Sequence, residues 1–98
     1  MIIAQVTISP LDKGVNVGKY VREAVKVIEE SGLKYQVCSM ATEIEAPDVE
    51  TLFEVVKKAE QAVIDAGSQR VITTVKLDHR VDVDARMGDK VRVAKGEL

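Results

Sequence analysis

Cysteine and aromatic residues are scarce in this chain of 98 residues. The single cysteine, Cys38, excludes an internal disulfide and a cysteine-rich zinc site, and it favours a reducing compartment. Two tyrosines, one phenylalanine and no tryptophan are too few and too scattered to stack nucleic-acid bases. Long apolar runs are also missing, because no segment approaches the roughly 20 apolar residues of a membrane span. These absences predict a cytoplasmic protein with no membrane and no nucleic-acid partner.

Length and charge narrow the class of protein further. A chain this short has enough residues for one hydrophobic core, so we expect residues 1–98 to form a single domain. Its 14 basic and 16 acidic side chains give a net charge of -2 without a long block of either sign, which again disfavours nucleic acid. The core is expected to be built from valine, isoleucine, alanine and leucine.

Hydrophobic periodicity predicts alternating strands and helices in the first half of the chain. Residues 2–9 alternate between apolar and polar side chains, as in a strand with one buried face. Asn16 is a candidate cap for a first helix that ends at Gly32. Residues 34–39 and 41–46 are short enough to be two strands joined by a tight hairpin. In the first helix, the apolar residues recur every three to four positions, and they are Tyr20, Ala24, Val27 and Ile28.

The second half of the chain predicts a further helix and a further strand. Asp48 is a candidate cap for a helix that ends at Gly67, and period two returns from Gln69 to Leu77. Strand, helix, strand, strand, helix, strand is the α+β, ferredoxin-like arrangement, with a four-stranded antiparallel sheet and both helices on one face. Residues 84–95 add a short C-terminal helix, and the path of residues 84–98 stays open. The apolar face of the second helix consists of Val49, Leu52, Val56, Ala59 and Val63, and that of the C-terminal helix of Met87, Val91 and Ala94.

The sheet face without helices, called the open face below, shows uncharged side chains in the first and last predicted strands. A solvated face normally carries charged residues, so we expect this face to pair with another copy of the chain in a dimer or tetramer. Two interpretations stay open, a plain subunit interface and an interface that also holds a small ligand. The residues concerned are Ile3, Gln5, Thr7 and Ser9 from the first strand and Ile72 and Thr74 from the last.

Three segments carry a resemblance to a known family. They read Ser-Gly-Leu-Lys-Tyr at 31–35, Met-Ala-Thr-Glu-Ile-Glu at 40–45, and Arg-Val-Ile-Thr-Thr-Val-Lys-Leu-Asp at 70–78 after Gly67. With them the chain resembles the thiamine-binding-protein superfamily, which includes the YkoF-like proteins. The resemblance implies a ferredoxin-like fold, subunits that pair through their sheets, and, in some members, binding of thiamine or hydroxymethylpyrimidine.

The sequence departs from the family pattern in the hairpin, in the second helix and after the last strand, where His79 interrupts the Asp-rich character of the family. The hairpin reads Ser39, Met40, Ala41 and Thr42, where the family usually has Pro-Met-Gly-Thr. In the second helix, Glu60 stands where the family often has a histidine.

Thiamine joins an aminopyrimidine to a thiazolium cation, so a site for it needs hydrogen-bonding groups, a carboxylate and a flat apolar surface. For each single threonine or serine, an ordinary place in a strand is the favoured interpretation. We predict a non-enzymatic, oligomeric binder of thiamine or a related pyrimidine, with no other cofactor. The alternative is a structural or regulatory homo-oligomer without a ligand. The candidate polar residues are Gln5, Thr7, Ser9, Ser39, Thr42 and Glu43, with Met40 or Tyr35 against a ring.

A metal-dependent enzyme is a third alternative. Imidazole and carboxylate groups lie close together in the sequence at Asp78, His79, Asp82 and Asp84. In an extended chain, however, His79 points opposite to the carboxylates, which favours a solvated segment over a metal site. Cys38 has no basic neighbour in the sequence, so we expect a buried structural thiol and no catalytic residue.

Overall fold

The computed structural model describes residues 1–97. Leu98, the last residue of the predicted 1–98 domain and of the 84–98 segment, lies outside the described residues. The strand order is β2-β3-β1-β4, and every neighbouring pair is antiparallel. The ferredoxin-like fold and the short C-terminal helix are therefore confirmed. The elements in chain order are β1 (Ile2–Pro10), α1 (Gly18–Glu30), β2 (Lys34–Val37), β3 (Thr42–Ala46), α2 (Val49–Asp65), β4 (Val71–His79) and α3 (Met87–Ala94).

The alternation of β1 places its apolar residues against the helices. Ile2, Ala4, Val6 and Ile8 are between 1% and 5% exposed, as predicted. They pack against the apolar faces of α1 and α2, and this cluster forms the hydrophobic core. The helix residues of the core are Tyr20, Ala24 and Ile28 from α1, and Leu52, Val55, Val56, Ala59 and Val63 from α2.

The predicted helix ends are confirmed for α2 and partly wrong for α1. Asp48 Oδ1 accepts a hydrogen bond from Thr51 N at 2.7 Å, the bond expected of an N-cap. Asn16 is not the cap of α1, because the first helical bonds, from the nitrogens of Tyr20 and Val21, go to the carbonyl oxygen of Val17. In the described part of the chain, no helix is long and apolar enough to cross a membrane.

The predicted hairpin is present, but its strands are shorter than expected. Residues 38–41 form the loop between β2 and β3, and Cys38 N donates to Ala41 O at 2.9 Å. Among residues 1–97 only glycines have a positive φ, so the turn is not of the type that needs Asn-Gly. β4 is longer than predicted and reaches His79, because it stays paired with β1 as far as Ile2.

The prediction of an uncharged open face is correct for one end and wrong for the other. Thr7 lies opposite Thr74, so the end near the hairpin is neutral. Gln5, by contrast, lies between Glu43 on β3 and Lys76 on β4. The prediction was based on the outward residues of β1 and β4, whereas the outward residues of β3 include the charged Glu43 and Glu45.

The C-terminal helix covers the charged end of the open face. Glu45, which neighbours Ile3 across the strand pair, is only 1% exposed, because α3 begins directly over it. Of the predicted apolar side of α3, only Met87 is buried, whereas Val91 is 49% exposed. The helix is therefore attached mainly at its first turn.

Candidate ligand-binding site

A cavity exists because β3 ends before β1 does. The pairing of β1 with β3 stops at Val6 and Thr42, whereas the pairing of β1 with β4 continues to Pro10. The β3-side edge of residues 7–9 therefore faces the 38–41 loop, and α1 covers it from the helix side. We call this space, about 190 Å³ in volume, the hairpin cavity.

Hydroxyl groups line the polar part of the hairpin cavity. Thr42 is only 7% exposed, yet its hydroxyl takes part in no hydrogen bond among residues 1–97. In the same range, no fully enclosed side-chain nitrogen or oxygen lacks a partner. The oxygen of the Thr42 hydroxyl is therefore not fully enclosed, and Thr42 is a lining residue of the cavity. Thr7, Ser9 and Ser39 are also lining residues, but strand alternation turns the side chains of Thr7 and Ser9 to the open face, so these two contribute mainly the edge of β1.

The backbone of β1 adds a donor and an acceptor to the cavity. Leu11 N donates to Arg70 O at 2.8 Å, so Leu11 directs its backbone groups towards β4. The N–H and C=O groups of successive strand residues alternate in direction, which turns those of Ile8 towards the β3 side. There β3 has ended and offers no partner. Ile8 thus presents one N–H and one C=O towards the cavity it lines.

The remaining wall is aliphatic and uncharged. The side chains of β1 and α1 give a ring a surface to lie against, but no Asp, Glu, Lys, Arg or His lines the space. The cavity is thus suited to a neutral ligand with hydrogen-bonding groups on its edge. The aliphatic lining residues are Val6, Ile8, Val21, Ala24, Val25 and Ile28.

Exposed side chains of the hairpin form the mouth of the cavity. Met40 is 85% exposed and Val37 is 48% exposed. Cys38 is also exposed, which corrects the expectation of a buried thiol: the early end of β2 leaves it in the loop. Of the two residues considered for packing on a ring, Met40 lines the cavity and Tyr35 does not.

The structure divides the residues predicted for the site. Thr7, Ser9, Ser39, Met40 and Thr42 line the hairpin cavity, and Gln5 and Glu43 do not. These last two line a second space of about 300 Å³ on the open face, which we call the sheet-face cavity. It also contains Lys76, Asp78 and Lys90. Glu43 is thus not a lining carboxylate of the hairpin cavity.

The acidic residues at the end of β4 and in the segment after it form ion pairs. Asp78 Oδ2 lies 2.7 Å from Lys90 Nζ, and the hydrogen bond and charge of this lysine lower the pKa of Asp78. Asp82 pairs with Arg80, and Asp84 with Arg86 at 2.8 Å. Within residues 1–97, no three His, Cys, Asp or Glu side chains converge as they would around a metal ion.

Glu60, at the position where the family often has a histidine, has a partner in the sheet. Thr73 Oγ1 donates to Glu60 Oε2 at 2.8 Å, a partly buried bond that joins β4 to α2. Glu60 does not line the hairpin cavity.

The part of α1 in the cavity wall was not predicted from the sequence, and Val21 and Val25 were absent from its predicted apolar face. Val21 and Val25 lie four residues apart, one position beyond Tyr20 and Ala24. This second stripe widens the apolar face of α1 beyond what a single buried stripe needs. Such a broad face was the available sign that α1 covers more than the core.

Comparisons with known proteins agree on one family. The sequence profile described as thiamine-binding protein matches residues 4–95. A UPF0045 protein from Methanothermobacter thermautotrophicus is 39% identical over 100% of both chains. The crystal structure of a protein from Methanocaldococcus jannaschii is 34% identical, has a TM-score of 0.87, and covers 99% of this chain and 97% of its own. A Thermotoga maritima protein, 17% identical with a TM-score of 0.83 over 95% of this chain and 97% of its own, shares the fold. The chain described here belongs to the thiamine-binding protein family.

Proposed function

We propose that this chain is a non-enzymatic small-molecule-binding protein whose hairpin cavity takes up a neutral aminopyrimidine, such as hydroxymethylpyrimidine. Membership of the thiamine-binding family supports a small-molecule ligand. The Thermotoga maritima protein of the same fold is named as a candidate thiamine biosynthesis or salvage protein. The observation that carries the proposal is the hydroxyl of the nearly buried Thr42, which has no hydrogen-bond partner among residues 1–97 and belongs to a residue that lines the cavity.

The size of the cavity favours one ring over two. Cavities for drug-sized ligands measure roughly 300–1,000 Å³, whereas the hairpin cavity measures about 190 Å³. A substituted pyrimidine suits this volume. The hydroxyl of Thr42 and the backbone N–H and C=O groups of Ile8 are the polar groups proposed to bond its ring nitrogens and amino group.

The charge of the cavity separates the two ligands considered from the sequence. Thiamine carries a thiazolium cation, and a cation held in an apolar space without a carboxylate loses hydration that nothing replaces. Glu43, the carboxylate considered for this role, lines the sheet-face cavity instead. Hydroxymethylpyrimidine is therefore expected to bind more tightly than thiamine, whose thiazolium would remain outside the mouth beside Met40.

The open face is the second part of the proposed function. Its neutral end carries Thr7, Ser9, Thr74 and the 49% exposed Ile72. We infer that two copies of the chain pair through this end, as a dimer or as half of a tetramer. Since Thr7 and Ser9 also line the hairpin cavity, the subunit interface would adjoin the ligand site. An oligomer without a ligand is the alternative function, and the titration below separates the two.

Isothermal titration calorimetry tests the ligand. Hydroxymethylpyrimidine should bind with a measurable heat, thiamine more weakly, and the free hydroxyethylthiazole half not at all. Equal affinity for thiamine and hydroxymethylpyrimidine would contradict the charge argument. If none of the three compounds gives heat at millimolar concentration, the binding function is wrong and the ligand-free oligomer takes its place.

A further inference from the structure

The segment of residues 84–94, called the C-terminal strap below, lies over the charged end of the open face. Arg86 Nη1 is 3.2 Å from Glu45 Oε1, and the backbone nitrogen of Met87 donates to Glu45 Oε2 at 3.1 Å. Farther along the strap, Lys90 Nζ is 2.7 Å from Asp78 Oδ2 on β4. The strap thus contacts the outward residues of two non-adjacent strands and crosses the end of the sheet beside Ile3.

Charge makes most of these contacts. Met87 is the only buried residue of α3, whereas Val91 is 49% and Val93 is 61% exposed. The helix has eight residues and contains Gly88. Helices this short are not stable alone in water, and an interior glycine weakens them further. The strap therefore depends on its contacts with the sheet to remain helical.

The carboxylate of Glu45 is buried only because the strap lies over it. Its side chain is 1% exposed, although it points to the face of the sheet that the core helices do not cover. Arg86 and the first N–H of α3 compensate the buried carboxylate, as a helix N-terminus does for an anion. When the strap leaves, Glu45 regains water, so release uncovers a hydrated carboxylate and leaves no unpaired charge in the core.

We propose that the C-terminal strap is a releasable cover, which charge contacts with Glu45 and Asp78 hold on the open face and whose release exposes Glu45 and Ile3. The extent of the open face then depends on whether the strap is bound. This inference rests on the strap contacts and not on ligand binding, so it stands or fails separately from the proposed function.

Hydrogen exchange of the backbone amides of residues 90–94 tests the cover. Between about 0.05 M and about 1 M salt, screening should speed exchange in the strap of the unchanged protein but not in α2. In the variant Arg86→Gln/Lys90→Gln, exchange at low salt should be about tenfold faster, since hydrogen bonds of charged groups are lost, and the salt effect should shrink. Lys58→Gln is the matched control, because it removes the exposed pair with Glu54 on α2. Strap amides as slow as those of α2 at both salt concentrations would overturn the proposal.

A thiol placed under the strap gives a second measurement. In Met87→Cys/Cys38→Ser, the new thiol replaces the one buried residue of α3, so an alkylating reagent reaches it only when the strap opens. Its labelling should be slower than that of the denatured chain and should accelerate with salt and with Arg86→Gln. Labelling that is unaffected by both changes would show that charge does not hold the strap.

Discussion

Thr42 lies opposite Val6 at the last paired position between β3 and β1. Beyond this pair, β1 runs on beside β4 alone, and the space next to it is the hairpin cavity. The position of the pair fixes both the size of the cavity and the group at its inner end. A change of the Thr42 hydroxyl should therefore separate binding from folding.

Replacing Thr42 with valine is expected to weaken the ligand without harming the fold. Valine keeps the shape of the side chain but removes the hydroxyl, which forms no hydrogen bond within residues 1–97. Affinity for hydroxymethylpyrimidine should fall about three- to tenfold, the usual effect of one lost hydrogen bond. The free energy of unfolding should change by less than about 0.5 kcal/mol. Calorimetry and urea unfolding measure the two effects.

Thr73→Val is the control for this substitution. It makes the same chemical change at a threonine whose hydroxyl donates to Glu60 and does not line the cavity. It should cost about 1 kcal/mol of stability and leave the ligand affinity unchanged. The opposite pattern, in which Thr42→Val destabilises the protein and Thr73→Val weakens binding, would remove the cavity from the mechanism.

Cys38 should report on occupation of the cavity. Because its side chain is exposed and lines the mouth, iodoacetamide should modify it in the folded protein. Saturation with hydroxymethylpyrimidine should slow the modification severalfold, whereas hydroxyethylthiazole should have no effect. Mass spectrometry over time gives the rates. If the Cys38 thiol reacted only after denaturation, it would not be exposed in the folded protein. If its rate of modification were unchanged by bound hydroxymethylpyrimidine, the ligand would bind outside the hairpin cavity.

Thr7→Arg is expected to dissociate the oligomer. Thr7 lies opposite Thr74 on the neutral end of the open face. In an interface formed by the neutral end, the arginine would be enclosed without an oppositely charged partner, which is costly. Size-exclusion chromatography with light scattering should show monomers for this variant. Gln61→Arg, which adds the same charge on an exposed position of α2, should keep the oligomer. An unchanged protein that is already monomeric would refute pairing through the sheet.

The local features of the fold were available from the sequence. The strict alternation of β1 predicted its buried face because strand side chains point to opposite sides in turn. Asp48 predicted the start of α2 because its carboxylate is placed to bond a free helix N–H. Both signals depend on residues within one element. They are independent of how the elements later pair.

The site depended on relations between distant segments, which the sequence does not encode locally. The hairpin cavity arises from the unequal lengths of β1 and β3, and these follow from the register of two strand pairs. The contact of Glu45 with Arg86, 41 positions away, likewise has no local sign in the sequence. Strand parity placed Gln5 on the open face, but it did not show that the hairpin cavity lies beyond Gln5, along residues 6–9 of β1, or that Glu43 lies outside it.

Asp12 should make stability depend on pH in the acidic range. Its carboxylate oxygens accept hydrogen bonds from Ser68 Oγ and Gln69 N, each at 2.7 Å, and so tie the loop after β1 to the loop before β4. The hydrogen bond from Ser68, which has the larger effect, and the bond from Gln69 lower the pKa of Asp12 below its ordinary value. A carboxylate with a lowered pKa in the folded state stabilises that state above its unfolded pKa, about 3.9 for aspartate. This contribution is lost as the pH falls through the lower, folded value.

Asp12→Asn should therefore be less stable than the unchanged protein at neutral pH, and the difference should shrink below about pH 4. Urea unfolding at a series of pH values measures it. Ser68→Ala tests the cause, because it removes one donor and leaves the bond from Gln69 N. In a protein that carries Ser68→Ala, the loss of unfolding free energy caused by Asp12→Asn should be smaller, and it should disappear over a narrower pH range. If the difference in unfolding free energy between the unchanged protein and the Asp12→Asn variant were the same in acid as at neutral pH, the prediction would be wrong. The ionised form of the Asp12 carboxylate would then contribute nothing to the connection between the two loops.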